Sequence, residues 1–149
     1  MKALSILQPF ATLIRIGAKQ YESRSWSTSY RGPLLIHASK SMPKWARDLC
    51  KQQPFLDTLT RSGSSSDVTA HCGRIIAVVQ LTDCIRITDA NAPQGAEYAF
   101  GDYTPGRWMW KLENPEQCLS IPVKGNLGLW NIDSIPLLID KEQELSNGD

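Results

Sequence analysis

An acid, a basic side chain and an indole occupy alternate positions in one short stretch of this sequence. They are Glu22, Arg24 and Trp26, and Lys19 comes shortly before them. On an extended strand, side chains two residues apart lie on one face, about 6.6 Å from each other. A carboxylate, a planar five-donor cation and a flat aromatic surface can together hold a nucleotide-like ligand. The pattern therefore predicts a ligand pocket, and the alternative is a cross-strand ion pair beside a core tryptophan.

Composition sets the broad class of the protein. The chain has 149 residues, of which 42% are hydrophobic and 21% are charged, as in a soluble globular protein. We expect a single domain over residues 1–139 and a polar C-terminal tail over residues 140–149. Without a long apolar run or a signal-peptide pattern, the sequence predicts a cytoplasmic protein, a monomer or weak dimer, with no membrane partner.

Cysteine usage gives no indication of a cofactor. The four cysteines are scattered, and no two of them form a C-x-x-C pair. Their spacing relative to His71 matches no usual zinc pattern. We therefore expect reduced, mostly buried thiols, no metal and no other cofactor.

Basic residues are concentrated in the first third of the chain. Residues 1–51 carry nine Lys or Arg and two acids, whereas residues 52–149 carry seven basic and thirteen acidic residues. A basic region around one motif is typical of a site that meets a phosphate backbone. Because the whole chain has a net charge of only +1, we expect a partner that is held at one site.

Apolar patterning predicts the elements that must position the motif. Strand signals surround it at residues 1–7, 34–39, 73–84 and 107–112, and the 73–84 signal is the strongest. A first helix is expected after Pro9 and should end at Gly17, directly before the motif.

A second helix is expected from about Ser41 to Gln52, before Pro54. Trp45 and Leu49 would face the core, and a basic stripe would lie on another side, formed by Lys40, Lys44, Arg47 and Lys51. Residues 54–72 are expected to form a loop insertion within the domain. The serine- and glycine-rich run over residues 61–67 indicates that this loop is mobile.

Four stretches carry a resemblance to a known family. They are residues 4–9 (LSILQP), the G-x-K-x-x-E-x-R-x-W run over residues 17–26, residues 31–39 (RGPLLIHAS), and residues 121–125 (IPVKG) with Leu129-Trp130. Together they resemble the ASCH domain, the activating signal cointegrator homology domain of the PUA-like superfamily. The resemblance implies an α+β fold: a small, partly open, mixed PUA-like β-barrel of about six strands with two or three flanking short helices. It also implies binding of RNA or another nucleic acid in a cleft beside the G-x-K-x-x-E-x-R run.

The leading functional prediction is binding of RNA, another single-stranded nucleic acid or a nucleotide. Recognition of single strands combines aromatic stacking with hydrogen bonds to base edges. Trp26 or Trp110 would stack on a base, and Glu22 would accept from a base edge. Phosphate or carbonyl oxygens would be held by cations: Lys19, Arg24, Arg31 and Lys124, with Lys40 on the basic stripe.

Two other functions stay open at this level. Some proteins that resemble this family are acetylcytidine amidohydrolases with a lysine and, three residues later, a nucleophilic threonine. Here Glu22 occupies the threonine position after Lys19, which removes that nucleophile. Lys19 and Glu22 remain candidate acid–base residues for a hydrolase such as a ribonuclease. A protein-interaction module, using residues 61–67 or the acidic tail, is the third hypothesis.

Overall fold

The computed structural model describes residues 1–132, which form one curled sheet with helices packed against it. In chain order the elements are β1 (Lys2–Ile6), α1 (Phe10–Arg15), β2 (Tyr21–Arg24), β3 (Gly32–Ala38), α2 (Lys44–Leu49), α3 (Phe55–Arg61), α4 (Asp67–Ala70), β4 (Arg74–Arg86), α5 (Ala96–Ala99), β5 (Trp108–Pro122) and β6 (Leu129–Asn131). The predicted boundary at residue 139 and the predicted tail lie outside the described residues.

The six strands form one mixed sheet in the order β2-β5-β4-β3-β1-β6. Only β1 and β3 pair in parallel; the other neighbours are antiparallel. The long β4–β5 pair changes register at three places, and each such irregularity bends the strands and increases their twist. The sheet consequently curls into a half-barrel. The predicted small α+β PUA-like barrel is confirmed, with five short helices in residues 1–132 rather than two or three.

The main core lies between the sheet and α1. Its fully buried members come from β1, α1, β3, β4 and β5 and include Leu4, Ile14, Ile36, Ile76 and Trp110. The first helix that the sequence predicted after Pro9 is therefore confirmed, and its buried residues include Ala11, Leu13 and Ile14. The helix ends at Arg15 with Ile16 as its C-cap, and Gly17 adopts a positive φ of 82°, which is the left-handed conformation that glycine tolerates. This turn directs the chain into β2.

Two helices begin with the same side-chain arrangement after a Gln-Pro pair. The Gln8 side chain accepts from the backbone N–H of Thr12 at 2.9 Å and donates to its hydroxyl at 2.8 Å. The Gln53 side chain accepts from the N–H of Asp57 at 3.1 Å. These bonds satisfy backbone donors that the first turn of a helix leaves free. Pro54 therefore precedes a new helix, α3, and is not simply a helix breaker.

The predicted loop insertion over residues 54–72 is wrong. This segment forms α3 and α4, whose buried residues Phe55, Leu59 and Val68 pack with Leu13 of α1 and with Phe100. Even the serine-rich turn between the helices is anchored, since Ser64 is buried. The Ser and Gly residues of this segment occupy the connection between two short amphipathic helices.

The second predicted helix is also corrected. It ends at Leu49 rather than Gln52, and Trp45 does not face the core, because 57% of its surface is exposed. The buried side of α2 is formed by Ala46 with partly buried Leu49 and Cys50, which follow the i, i+3, i+4 spacing. Within residues 1–132, no helix is long and apolar enough to cross a membrane.

The packing of α3 provides a stability test with a matched control. Leu59 is 2% exposed and Leu56, on the same helix, is 42% exposed. We expect Leu59→Ala to lower the free energy of unfolding by about 2–5 kcal/mol, because it leaves a cavity in the core. Leu56→Ala should cost below about 1 kcal/mol. Urea unfolding measures both values, and a small loss for Leu59→Ala would show that residues 55–70 do not belong to the folded core.

Candidate functional site

The centre of the site is an ion pair on β2. The guanidinium of Arg24 donates to Oε2 of Glu22 from Nε at 3.2 Å and from Nη2 at 3.0 Å. The two side chains meet because residues two apart on a strand share a face, as the sequence predicted. β2 is itself held by antiparallel pairing with β5, where Glu22 lies opposite Trp110 and Arg24 opposite Trp108. The spacing in the motif therefore produces a real contact.

The backbone around the pair holds both charged groups in place. Nη2 of Arg24 also donates to the carbonyl of Ser5 on β1 at 2.9 Å, and the N–H of Ser23 donates to Oε1 of Glu22 at 3.1 Å. Among residues 1–132, Nη1 of Arg24 has no hydrogen-bond partner.

Lys19 lies beneath this pair rather than beside it. Only 2% of the residue is exposed, and its ammonium donates to the carbonyl of Phe100 at 2.6 Å. Nζ is 4.0 Å from Oε1 of Glu22, so the lysine supports the carboxylate from the interior. Burial lowers the pKa of Lys19 because removal from water disfavours the charged ammonium.

A second carboxylate stands close to the buried lysine. Glu97 of α5 accepts from the hydroxyl of Tyr103 at 2.8 Å and from the N–H of Gln20. Burial raises the pKa of Glu97, and burial with the nearby Glu97 charge raises the pKa of Tyr103. These bonds connect the segment of residues 97–103 to the start of β2.

Gly101 is the point of closest approach in this segment. A Cβ at residue 101 would lie 2.8 Å from the ring of Tyr103 and 3.1 Å from Nζ of Lys19. Any larger residue would have to displace one of them. Burial of the lysine thus depends on glycine here, which the sequence pattern did not reveal.

The tryptophans named in the sequence analysis have different environments. Trp110 is fully buried and donates from Nε1 to the carbonyl of Trp26 at 3.3 Å. Trp26 lies just beyond the end of β2, with its partly exposed ring edge-on to Trp110 at a centroid distance of 4.8 Å. Trp110 therefore belongs to the core and supports Trp26 from below.

An open cleft of about 620 Å³ lies beside the ion pair, and we name it the ion-pair cleft. Besides Glu22 and Arg24, its lining includes Ser5, Leu7, Phe10, Ser23, Ser39, Trp45, Asp102 and Arg107. Trp45 and Arg107 were not predicted as site residues. The sequence held one signal for Trp45. An apolar side of α2 is already formed at i, i+3, i+4 spacing by Ala46, Leu49 and Cys50, and Trp45 is not part of that spacing.

Arg107 is held at the cleft by several partners. Its Nε donates to the hydroxyl of Ser23 at 3.0 Å, and it lies 3.5 Å from a carboxylate oxygen of Asp102. The pKa of Asp102 is lowered first by hydrogen bonds from Thr104, with a further contribution from Arg107. No sequence signal indicated Arg107, because it comes from a turn far along the chain.

The remaining predicted cations do not reach the ion-pair cleft. Lys40 and Lys124 line a neighbouring hollow of about 1050 Å³, which we name the lysine hollow. Arg31 lines neither; it donates to the carbonyl groups of Thr28 and Tyr30 and lies 3.9 Å from Asp83. In the part of the chain that the structure describes, no three His, Cys, Asp or Glu residues are grouped to hold a metal ion.

Comparisons with known proteins agree with this architecture. A family model described as the ASCH domain matches residues 4–122. Activating signal cointegrator 1 from Homo sapiens is 28% identical over 135 residues, which are 88% of this chain and 22% of that protein. Activating signal cointegrator 1 from Mus musculus gives the same identity and coverage. The chain thus spans less than a quarter of the length of these relatives.

The buried ammonium of Lys19 provides a test of its structural role. Lys19→Met keeps a side chain of similar length but leaves the Phe100 carbonyl without its hydrogen-bond donor. We therefore expect the free energy of unfolding to fall by about 1–3 kcal/mol. Lys44→Met removes an exposed ion pair with Asp48 and should cost below about 1 kcal/mol. Urea unfolding compares the two variants, and equal losses would contradict the supporting role of Lys19.

The raised pKa of Glu97 predicts a pH-dependent contribution to stability. A carboxyl group whose pKa is raised by folding stabilises most below its ordinary pKa of 4.5, and this stabilisation is lost as pH rises through the folded-state value. The Glu97→Gln variant lacks this titration. We therefore expect the wild type to lose stability relative to Glu97→Gln as pH rises from about 4, in urea unfolding at a series of pH values. A pH-independent difference would contradict the raised pKa.

Proposed function

The chain belongs to the ASCH domain family, and from this premise we propose that it binds single-stranded RNA with one base in the ion-pair cleft. The single observation that carries the proposal is the fixed pair of Glu22 and Arg24 at an open cleft. A base edge presents both donors and acceptors, and single-stranded RNA exposes these edges. The carboxylate accepts from such an edge, and Nη1 of Arg24 donates to it.

The exposed ring of Trp45 supports the same ligand class. Trp45 is 57% exposed and lines the cleft that contains the ion pair, so its ring is accessible to a flat ligand in that cleft. Stacking of a base on such a ring contributes about 1–3 kcal/mol and tolerates any base. Trp26, the partly exposed indole of the motif itself, does not line this cleft.

The balance of charge in the cleft favours a base over a phosphate. Two acids, Glu22 and Asp102, line it together with two cations, Arg24 and Arg107. A phosphate at this place would meet repulsion from both carboxylates, whereas a neutral base can exchange hydrogen bonds with them. The sugar–phosphate backbone therefore leaves the cleft toward other cations.

The position of Lys19 favours binding over hydrolysis. A catalytic lysine must reach the reacting atoms, but this ammonium is buried and donates to the Phe100 carbonyl. In this proposal Lys19 supports the Glu22 carboxylate from the interior and does not touch the ligand.

Substitutions in the cleft test the proposal directly. Trp45→Ala removes the stacking surface, so we expect RNA affinity to fall about 5- to 150-fold, from the 1–3 kcal/mol of one stacked base. Arg24→Ala removes a charged donor and should lower affinity by a similar factor. Fluorescence anisotropy with a random-sequence single-stranded RNA 12-mer measures both.

Tyr98→Ala is the matched aromatic control. Tyr98 is exposed like Trp45 but lies outside the lining of the cleft. This variant should bind RNA as the wild type does. If Trp45→Ala and Arg24→Ala fold normally and also bind like the wild type, the ion-pair cleft is not the RNA site.

A further inference from the structure

The lysine hollow is continuous with the ion-pair cleft. Ser5, Leu7 and Ser39 line both depressions, so a ligand can pass from one to the other over the ends of β1 and β3. Ser5 joins them physically: its carbonyl accepts from Arg24 in the cleft, and its hydroxyl lies 3.0 Å from Nδ1 of His37 in the hollow. The two depressions therefore form one path across the surface.

The lysine hollow has a different charge from the cleft. Lys40, Arg74 and Lys124 line it, and among residues 1–132 no aspartate or glutamate does. The cations come from three separate segments of the chain, which the fold brings to one place. Because none of the lining residues that the structure describes is an acid that would neutralise these cations, the hollow attracts anions, whereas the acids of the cleft oppose them.

The floor and rim of the hollow are partly apolar. Leu7 and Val123 contribute to its surface, and Leu127 at the rim is 98% exposed. A site for a bare inorganic anion needs no such surface, whereas a nucleotide presents an apolar base or sugar face beside its phosphate. Cations around an apolar floor match that combination.

Backbone bonds hold the wall of the hollow in position. The N–H of Val123 donates to the carbonyl of Gly73 at 3.0 Å, and Nε2 of His37 lies 2.8 Å from the carbonyl of Val123. A Cβ at residue 125 would lie 2.6 Å from Cε1 of His37 and 2.7 Å from Oγ of Ser5. Gly125 thus lets the segment that carries Lys124 lie directly against the shared boundary of the two depressions.

We propose that the lysine hollow binds the phosphate and the adjoining nucleotide of the RNA strand whose base occupies the ion-pair cleft. This inference rests on the proposed function and specifies its substrate class: an oligonucleotide rather than a free nucleoside. The cleft reads a base, and Lys40 and Lys124 hold the backbone that continues from it. Binding to the complete path requires at least two linked nucleotides.

The test uses Lys40→Gln combined with Lys124→Gln, with Lys51→Gln as the matched control. Lys51 is exposed but lines neither depression. The probe is the random-sequence RNA 12-mer, titrated over a series of salt concentrations. Log affinity falls as log salt rises, and each phosphate contact makes this slope steeper by about 0.7 for a single strand. The double variant lacks two contacts, so its slope should be less steep by about 1.4. Lys51→Gln should leave the slope unchanged.

Competition experiments separate the two depressions. A mixture of the four ribonucleosides should displace the 12-mer from the wild type only weakly. Those nucleosides should bind the double variant as they bind the wild type, because they occupy the cleft alone. Inorganic tripolyphosphate should compete less well than a trinucleotide, since it cannot use the apolar floor.

Each outcome bears on one proposal or the other. An unchanged salt slope in the folded double variant, with Arg24→Ala still impaired, overturns the inference and leaves the proposed function standing. Competition by tripolyphosphate as strong as that of the trinucleotide also overturns the inference. If the wild type does not bind the 12-mer, the proposed function and this inference fail together.

Discussion

Burial of the Lys19 ammonium is the constraint on which the site depends. An isolated charge in a protein interior is strongly unfavourable, so the surrounding groups must compensate it. The Phe100 carbonyl accepts from it, the carboxylate of Glu22 lies nearby, and the rings of Phe10 and Tyr103 have centroids 5.8 and 5.6 Å from Nζ. These contacts join the end of α1, the start of β2 and residues 97–103. The position of Glu22 at the cleft follows from them.

In our proposal the two depressions share the recognition of one ligand, because one is balanced in charge and the other is cationic. In the ion-pair cleft, Glu22 and Asp102 balance Arg24 and Arg107. In the lysine hollow, none of the described residues that line it beside these cations is acidic. A single-stranded nucleic acid has the same division, with neutral hydrogen-bonding bases attached to an anionic backbone. The match between these two patterns, more than any single residue, supports a polymeric ligand.

Local patterns predicted the sheet and the first helix well, because the residues concerned face one continuous core. The segment over residues 54–72 was misread because its apolar residues, such as Leu59 and Val68, are separated by serines and glycine. Their burial depends on Leu13 and Phe100, which lie far away in sequence. Trp45 was misplaced for a related reason: α2 is only six residues long, so two different faces fitted its periodicity.

The sequence alone determined the contact of Glu22 with Arg24, since alternation on a strand is a local property of the backbone. It also determined the family, because the motifs occur in order along the chain. Only the tertiary structure decided that Lys19 is interior, that Arg107 joins the cleft and that Lys40 and Lys124 share a hollow. These placements depend on contacts between distant segments and on close approaches at Gly101 and Gly125, where a larger side chain would collide with its neighbours. Spacing along the chain carries no information about such contacts.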